Sequence, residues 1–435
     1  MLKSIKLINF KRYENIDVDL DHKVTVLVGP NSSGKSSIIK SLLAFKQTYD
    51  DQNEHSGFLS RGEFVDIGPF SEYIRNHDTT KVCHFIFEIK LLPIAGTRLA
   101  AFQTNKAWIE IVHGDDPSTG HGRTILYSIS LDGPIHDIKN YDPINDENRT
   151  IMYKRMTGSD DRYKINISKG LFDYAQGFSK KGGITYDRLC NYLSHGVVQA
   201  KRFANIGFFS YNAGTRTVPD DYNIFINFVE RYTNELDRSL GSDLTGQLFA
   251  LAALRDPPQR TSPRTDERLK VGARGQNVAS VFYNFRQRAL KKSNSKTRDD
   301  YNRLLTWLKD IDLCNDVTTD RWSDLIDFRA VINSESLQGE SITDIGVGFS
   351  QAFPILVQLA VMPEGARLIV EQPELHLYPW AQSEFGRTLC AEAKRGRKNI
   401  IIETHSEHII RGIQTHVSRS RVHGGATICY IAILK

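Results

Sequence analysis

The sequence predicts an α/β fold with a mixed β-sheet core, an antiparallel β subdomain and a helical insertion. The short apolar run Val24–Val28 is typical of a buried parallel strand, and a glycine-rich loop connects it to a helix with one apolar face. Two late apolar runs, 366–371 and 399–403, end in acidic or polar residues. Three early segments are predicted as strands separated by turn residues: 81–92, 106–113 and 124–131.

The remaining elements follow in order along the chain. Residues 3–20 alternate apolar and polar side chains as a strand pair, and 150–168 predicts another hairpin. The pattern is then mainly helical from 183 to 330, including a helix within 221–252. One more strand is expected over 426–434.

Composition is that of an ordinary globular protein. The 435 residues are 40% apolar and 25% charged, and the net charge of +5 does not by itself indicate an anionic partner. The five cysteines are scattered, which predicts reduced thiols and neither a disulfide frame nor a zinc site. Lysines interrupt the start before any apolar segment forms, and the apolar stretch 353–362 is too short to span a bilayer. We therefore expect a cytoplasmic protein without membrane contact.

Nine consecutive residues fit the Walker A phosphate loop, G-x-x-x-x-G-K-[ST]. They are Gly29, Pro30, Asn31, Ser32, Ser33, Gly34, Lys35, Ser36 and Ser37. Backbone N–H groups of such a loop, together with the helix N-terminus, form a positive concavity for phosphates. Lys35 would reach the β- and γ-phosphates, and the Ser36 hydroxyl would ligate Mg²⁺. The chain is therefore predicted to bind a nucleotide.

The apolar run 366–371 has the Walker B pattern, in which the terminal carboxylate holds Mg²⁺, usually through water. Glu371 takes that position, so it is a predicted metal and catalytic residue. The next residue is Gln372, whose amide can orient water but is a very poor proton acceptor. Glu374 is the alternative base.

A second glycine-rich turn, 342–351, opens an apolar helix. A helix N-terminus of this kind can bind an anion, and the alternative is a simple helix cap. The run 399–403 is followed by His405 and His408, whose spacing would also suit two metal ligands on a helix. No thiol or carboxylate set with matching spacing accompanies these histidines, which favours a different role.

These elements, in this order, resemble ABC-type ATPases of the RecF/OLD/SMC group. The opening N-F-K-R-Y-E-N-I and the segments V-G-A-R-G-Q-N and E-Q-P-E-L-H-L are similar to RecF- and OLD-like members. The chain most closely resembles OLD-like AAA-family ATPases of bacterial anti-phage defence operons. The resemblance covers about residues 1–70 and 270–412.

The resemblance implies an ABC-type P-loop ATPase head that binds ATP with Mg²⁺. Gly348 and Ser350 would belong to the signature turn and bind the γ-phosphate of a nucleotide held by another copy. His405 would contact the γ-phosphate as a switch. Lys11 or Arg12 would approach the phosphates, with the adjacent tyrosine beside the nucleotide; the alternative is a surface hairpin with a basic tip.

Three stretches are expected on this basis. Residues 1–130 form an N-terminal ATPase lobe with the Walker A loop and the antiparallel β subdomain. Residues 131–335 form an insertion that is first a β-hairpin and then mainly helical. Residues 336–435 form a C-terminal lobe with the signature turn, the Walker B strand and the histidine switch.

Two basic clusters suit either DNA phosphates, a protein partner or an ordinary solvated face. The first comprises Arg255, Arg260, Arg264, Arg268, Lys270 and Arg274. The second comprises Arg286, Arg288, Lys291, Lys292, Lys296 and Arg298.

Three functions remain open from the sequence. The first is a slow ATPase that acts as an ATP-gated sensor and scaffold, forming a homodimer or higher homo-oligomer through shared ATP sites. It would control a separate nuclease or toxin, since the short stretch after His405 predicts one strand and no second catalytic centre. The second is a RecF-like DNA-binding ATPase of repair or recombination. The third is a module that binds nucleotide without hydrolysing it.

Overall fold

A computed structural model describes most of the chain. The described residues are 2–50, 58–90, 106–116, 120, 122–134, 142–143, 145, 147–156, 162–176, 185–195, 197–200, 209–212, 233, 236, 239–244, 246–265, 269–291, 295–332, 339–422 and 429–433. The helix predicted within 221–252 lies largely outside them.

The chain forms two compact units. The first comprises Met1–Asp21 and Ser37–Gly246, and the second comprises His22–Ser36 and Gln247–Lys435. Helix α1 (Lys35–Asp50) therefore begins in the second unit and continues in the first. The three stretches expected from the sequence, with boundaries after residues 130 and 335, stay a prediction.

The first unit contains a nine-stranded antiparallel sheet with the order β10-β9-β8-β7-β6-β5-β4-β1-β2. Its strands are β1 (Leu2–Phe10), β2 (Tyr13–Asp19), β4 (Cys83–Lys90), β5 (Lys106–Asp115), β6 (Gly122–Ser130), β7 (Thr150–Arg155), β8 (Arg162–Ile167), β9 (Val197–Ala200) and β10 (Phe209–Asn212). Its short helices are α2 (Phe70–Tyr73), α3 (Lys169–Gln176) and α4 (Tyr186–His195). This sheet confirms the opening strand pair, the three early strands and the later hairpin.

Aromatic side chains pack α1 against this sheet. The Phe45 ring of α1 lies 4.9 Å from the Phe85 ring and 5.0 Å from the Phe87 ring, both on β4 and both in edge-on geometry. Edge-on aromatic pairs at this distance are favourable beyond the area they bury. The apolar face predicted for the helix after the phosphate loop is confirmed, since Ile38, Leu42 and Phe45 are fully buried.

The second unit contains a five-stranded sheet in which every pairing is parallel. Its order is β11-β16-β17-β3-β18. The strands are β3 (Val24–Val28), β11 (Leu248–Leu251), β16 (Arg367–Glu371), β17 (Asn399–Glu403) and β18 (Cys429–Ile433). Parallel and antiparallel sheets thus occur in one α/β chain, as predicted.

A smaller antiparallel sheet in the second unit differs from the sequence expectation. It comprises β12 (Thr261–Pro263), β13 (Asp316–Trp322), β14 (Leu325–Val331) and β15 (Glu340–Ser341). The sequence predicted mainly helix through residue 330. On β14 the side chains of Ile326, Phe328 and Ala330 are buried in alternation, which is the two-residue period of a strand.

Five helices accompany these sheets within the described part of the second unit. They are α5 (Val278–Ala289), α6 (Ser295–Asp310), α7 (Val347–Val361), α8 (Pro379–Arg395) and α9 (Glu407–Val422). Helix α7 is buried over almost its whole length and shares a hydrophobic core with α5, α6 and the parallel sheet. None of the helices in the described ranges is long and apolar enough to cross a lipid bilayer.

Helices α8 and α9 cross at two glycines. A Cβ placed on Gly412 would lie 2.0 Å from the Ser383 carbonyl oxygen, and a Cβ on Gly386 would lie 2.5 Å from the Ile409 carbonyl oxygen. Both distances are far below van der Waals contact, and both obstructing atoms are backbone. The two helices therefore touch backbone to backbone.

We expect Gly412→Ala to lower the free energy of unfolding by roughly 1–3 kcal/mol, because the added methyl group must push the helices apart. Denaturant unfolding followed by circular dichroism measures this change. Gly246→Ala is the control, since among the described residues the one atom within 4 Å of its added Cβ is a carbonyl oxygen at 3.9 Å. Equal stability of both variants and the wild type would contradict the proposed backbone contact.

Candidate functional site

The parallel sheet brings the predicted site residues to one edge. Because β3, β17 and β16 run in the same direction, their carboxyl ends lie side by side. In the strand register, Glu403 pairs with Leu27 on one side and with Glu371 on the other. The phosphate loop continues directly from β3 at this edge.

The phosphate loop has the backbone conformation that its glycines permit. Gly34 has a φ of 96°, and Ser32 is a non-glycine residue with a φ of 63°. The buried Lys35 ammonium donates to the carbonyl oxygens of Gly29 at 3.0 Å and Pro30 at 2.8 Å. Burial lowers the pKa of Lys35, and the Glu403 carboxylate acts in the opposite direction.

The Ser36 hydroxyl meets a carboxylate that sequence reasoning did not assign. Ser36 Oγ donates to Glu403 Oε1 at 2.7 Å, although the two residues are 367 positions apart. Glu403 is buried, and its other oxygen, Oε2, has no hydrogen-bond partner among the described residues. The sequence did contain a signal for Glu403, because it is an acidic residue at the end of an apolar run, as Glu371 is. The structure pairs the two residues on neighbouring strands.

This pair fits the magnesium ion that a phosphate loop needs. A serine hydroxyl and a carboxylate oxygen are the hard oxygen donors that Mg²⁺ prefers, and Mg²⁺ at phosphate sites keeps few protein ligands. A buried carboxylate oxygen without a partner, next to the predicted serine ligand, is what such an ion would satisfy. Ser36 with Glu403 would hold the ion, and Glu371 at the neighbouring strand end stays the predicted second carboxylate.

The chain turns sharply after the Walker B strand. Gln372 has a φ of 45°, a left-handed conformation that is uncommon for a side-chain-bearing residue. Its N–H donates to the Glu403 carbonyl oxygen at 2.7 Å, which ties the ends of β16 and β17 together. Backbone conformations of this kind persist where the surroundings enforce them, often at functional sites. The role of Gln372 in positioning water stays a prediction.

Glu374 connects the Walker B turn to the loop that carries His405. Its Oε2 accepts from the buried Thr404 hydroxyl at 2.8 Å, and its Oε1 accepts from the His405 backbone N–H at 2.9 Å. The His405 residue itself is exposed. The structure thus places Glu374 as a support of the histidine loop, while its assignment as the catalytic base stays a prediction.

Helix α9 begins at Glu407, two residues after His405. Ser406 Oγ accepts from the backbone N–H groups of His408 and Ile409, each at 3.1 Å, which is an N-terminal cap. The same hydroxyl donates to Gln382 Oε1 on α8 at 2.6 Å. The capped helix start, bonded to α8 through Gln382, therefore fixes the position of His405 relative to α8.

Within the described ranges, no group of three or more histidine, cysteine or acidic side chains is placed to hold a metal.

The predicted signature turn forms the first turn of α7. A Cβ on Gly348 would lie 2.7 Å from the His376 carbonyl oxygen, so this position packs too closely for a side chain. Ser350 is buried, and its hydroxyl donates to the Val347 carbonyl oxygen at 2.7 Å. Gly346 and Val347 are exposed at the tip of the turn. The contact of Gly348 and Ser350 with a second copy's nucleotide stays a prediction.

The basic tip of the β1–β2 hairpin lies in the first unit. Lys11 Nζ donates to the carbonyl oxygens of Ile67 at 2.9 Å and Glu72 at 3.1 Å. Burial lowers the pKa of Lys11, with Lys40 acting in the same direction. Arg12 is exposed in the turn. Their approach to bound phosphates stays a prediction.

The structure buries one member of the two basic clusters and pairs several exposed members with acids. Arg255 is buried, so it cannot belong to a solvated basic face. Several of the other members are engaged in ion pairs or helix contacts: Arg260 with Asp344, Arg274 with Asp256, Lys296 with Glu364, and Arg298 with the Ala289 and Lys291 carbonyl oxygens. Arg268 and Lys292 lie outside the described residues.

We expect Glu403→Gln to weaken Mg²⁺-dependent nucleotide binding ten- to hundredfold, because the amide keeps one acceptor for Ser36 but removes the buried charge. Titration of a fluorescent ATP analogue with and without Mg²⁺ measures this effect. Binding in the presence of a chelator should change little. The assignment fails if both conditions respond equally. Glu384→Gln, a half-buried glutamate on α8, is the control.

Comparison with curated proteins finds short matches to RecF. The chain is 34% identical over 75 residues to the DNA replication and repair protein RecF of Clostridioides difficile, which is 17% of this chain and 20% of that protein. It is 28% identical over 90 residues to RecF of Clostridium kluyveri, or 21% of this chain and 23% of that protein. The chain thus matches about a fifth of the length of these relatives.

Comparison with solved structures finds SMC head domains. The SMC head domain from Thermotoga maritima has 11% identity, covers 94% of this chain and 91% of its own, and gives a TM-score of 0.36. An Smc head with an extended coiled coil, bound to the C-terminal domain of ScpA derived from Pyrococcus furiosus, has 9% identity, covers 94% and 91%, and gives 0.40.

The family comparison covers more of the chain than the RecF matches do. The family described as "AAA ATPase domain" matches residues 1–119 and 259–410, which include the phosphate loop, the Walker B strand and His405. The chain belongs to the AAA ATPase domain family.

Proposed function

We propose that this chain is an ABC-type ATPase that binds ATP with Mg²⁺, hydrolyses it slowly and works as an ATP-gated sensor and scaffold. In this proposal it controls a separate effector, a nuclease or toxin, in bacterial anti-phage defence. The defence role rests on the resemblance of the E-Q-P-E-L-H-L segment to OLD-like ATPases. The adjacent genes test this role directly, since replication genes there would oppose it.

One observation supports ATP chemistry above the others. At the ends of β3 and β17, Lys35 lies on the loop carbonyl oxygens and Ser36 donates to Glu403, with Glu371 on the neighbouring strand. Lys35 would neutralise phosphate oxygens, and Ser36 with Glu403 would hold Mg²⁺. The bound ion would neutralise phosphate charge during transfer to water.

The contacts around His405 support a nucleotide-dependent switch. In this proposal His405 contacts the γ-phosphate, and Glu374 holds the backbone beside it through two hydrogen bonds. Loss of the γ-phosphate would then alter the loop between β17 and α9. A switch of this kind needs a group that contacts ATP through its γ-phosphate and does not make the same contact with ADP.

Exposed apolar side chains support closure onto a second copy. The Tyr378 and Trp380 rings, each about half exposed, stack at 6.2 Å, and Val347 at the start of α7 and Leu254 beside Arg255 are also more than half exposed. Adjacent large exposed apolar groups such as the Tyr378–Trp380 pair are typical of protein interfaces. We propose that ATP is shared between the phosphate loop of one copy and the α7 turn of another.

We expect Lys35→Ala to weaken ATP binding about ten- to hundredfold, because a charged hydrogen bond to phosphate is lost. ATP-dependent self-association should be lost in parallel. Calorimetric titration and mass measurement by light scattering, with and without ATP, provide both readouts. Lys40→Ala, a half-buried lysine one turn further along α1, is the control. A wild-type protein that binds no ATP would refute the proposed function.

The rate of hydrolysis depends on residue 372. An amide at this position can orient a water molecule through its carbonyl oxygen but cannot take the proton, which explains why we propose slow turnover. Glu374 is also committed to two hydrogen bonds with the histidine loop. Both features point to weak general base catalysis.

We therefore expect Gln372→Glu to raise kcat at least tenfold, since general base catalysis typically contributes that much or more. Phosphate release under saturating ATP measures it. Glu374→Gln should lower kcat and loosen the histidine loop. An unchanged kcat in Gln372→Glu would mean that the wild-type site already has another base. No detectable turnover in any variant would favour a module that binds nucleotide without hydrolysing it.

A second candidate is a DNA-binding ATPase, which the matches to RecF favour. Several basic side chains that would meet DNA are instead paired with acids, and Arg255 is buried. These contacts reduce the charge available to DNA phosphates. Binding of duplex and gapped DNA at low salt, with a steep loss on adding salt, would establish this alternative.

A further inference from the structure

Arg255 is a buried cation that contacts the end of the Walker B strand. Its residue exposure is 4%, and its Nη2 donates to the Glu371 carbonyl oxygen at 2.6 Å. Its Nε and Nη1 have no hydrogen-bond partner within the described residues. Buried donors without partners are rare in proteins and call for an explanation.

Two carboxylates act on this guanidinium. Burial lowers the pKa of Arg255 to about 10, while the carboxylates of Glu371 and Glu374 raise it. Arg255 therefore remains charged at neutral pH. Its fork of five N–H donors is able to bind carbonyl and carboxylate oxygens at the same time.

The segment that carries Arg255, described over 252–265 and 269–274, is hydrogen-bonded to α7 at two places. The Arg255 backbone N–H points to Gln351 Oε1 at 3.4 Å, in the turn directly after Ser350. Further along, Gln358 accepts from the Val271 N–H at 3.0 Å and donates to the Leu269 carbonyl oxygen at 2.8 Å. These glutamine side chains are buried. The segment therefore follows α7 closely on one side.

The same segment is closed on itself. Ala252 N–H donates to the Ala273 carbonyl oxygen at 2.8 Å, and Asp256 N–H donates to the Arg274 carbonyl oxygen at 2.9 Å. These two hydrogen bonds hold the described stretches 252–256 and 273–274 side by side. The first stretch touches the Walker B turn through Arg255, and Leu269 and Val271, just before the second, are hydrogen-bonded to Gln358 on α7.

We propose that Arg255 is a positioning residue that couples the end of the Walker B strand to the first turn of α7. The Glu371 carboxylate would turn toward the phosphate loop when that loop holds nucleotide and Mg²⁺. The guanidinium then exchanges its contacts among the oxygens of Glu371 and Glu374. Gln351 passes the displacement to the turn containing Gly348 and Ser350. This inference rests on the proposed function and adds the internal link between its two halves.

The test measures nucleotide affinity separately from ATP-dependent self-association and turnover. Arg255→Met should leave the Kd of a fluorescent ATP analogue within about threefold of the wild type, because Lys35 and Ser36 are untouched. ATP-dependent self-association should fall at least tenfold, and kcat should fall with it. Hydrogen exchange of the peptide covering 342–351 should respond to ATP in the wild type and not in the variant.

Arg274→Met is the matched control, because Arg274 lies in the same segment but is exposed and pairs only with Asp256 among the described ion pairs. It should behave as the wild type. Gln351→Leu breaks the other end of the link and should reproduce the loss, which keeps the test valid if Arg255→Met unfolds. Arg255→Lys keeps the charge and should restore part of the ATP response.

The outcomes distinguish the two proposals. If the wild type neither binds ATP nor responds to it, the proposed function and the coupling both fail. If the wild type responds and Arg255→Met with Gln351→Leu respond equally well, only the coupling is overturned. If folded Arg255→Met loses nucleotide affinity and self-association to the same extent, Arg255 supports binding and does not couple it.

Discussion

The constraint on which the site depends is the parallel direction of the strands in the five-stranded sheet. Parallel pairing of β3 with β17 and of β17 with β16 brings three carboxyl ends to one edge. Residues far apart in the chain, such as Ser36 and Glu403, are therefore neighbours at this edge. The Ser36–Glu403 hydrogen bond follows from this register, as does the position of Glu371 one strand further. Reversing any one of these strands would carry its own site residue to the opposite edge of the sheet.

Buried charge gives this edge its chemical character. Lys35, Glu403 and Arg255 are each almost inaccessible to water, so their interactions are stronger than those of surface charges. Such groups are costly to bury unless each has a partner. Among the described residues, the Lys35 ammonium donates to carbonyl oxygens, the Glu403 carboxylate accepts from a hydroxyl, and the Arg255 side chain donates to one carbonyl oxygen. The site is thus arranged to interact with further charged groups.

Much of the fold and part of the site could be predicted from the sequence. The phosphate loop and the strands ending at Glu371 and Glu403 lie where local apolar runs placed them. The partner of Ser36 could not be predicted, because a contact across 367 positions depends on strand order. Arg255 looked like a surface residue, since basic spacing carries no information on burial. The alternation of apolar and polar residues on β14 is short and follows a long helical pattern, so the sequence did not predict the small antiparallel sheet.

The contacts of Lys35 have a consequence for selectivity among nucleotides. Its ammonium already donates to two neutral carbonyl oxygens, which occupies two of its three N–H donors, so a second phosphate oxygen binds only by displacing a carbonyl oxygen. The net gain of that exchange is the difference between a cation paired with an anion and a cation paired with a neutral dipole. That difference grows with the negative charge of the phosphate chain and is indifferent to the base. Lys35 therefore favours nucleotides with more negatively charged phosphate chains, and a preference for adenine has to come from other residues.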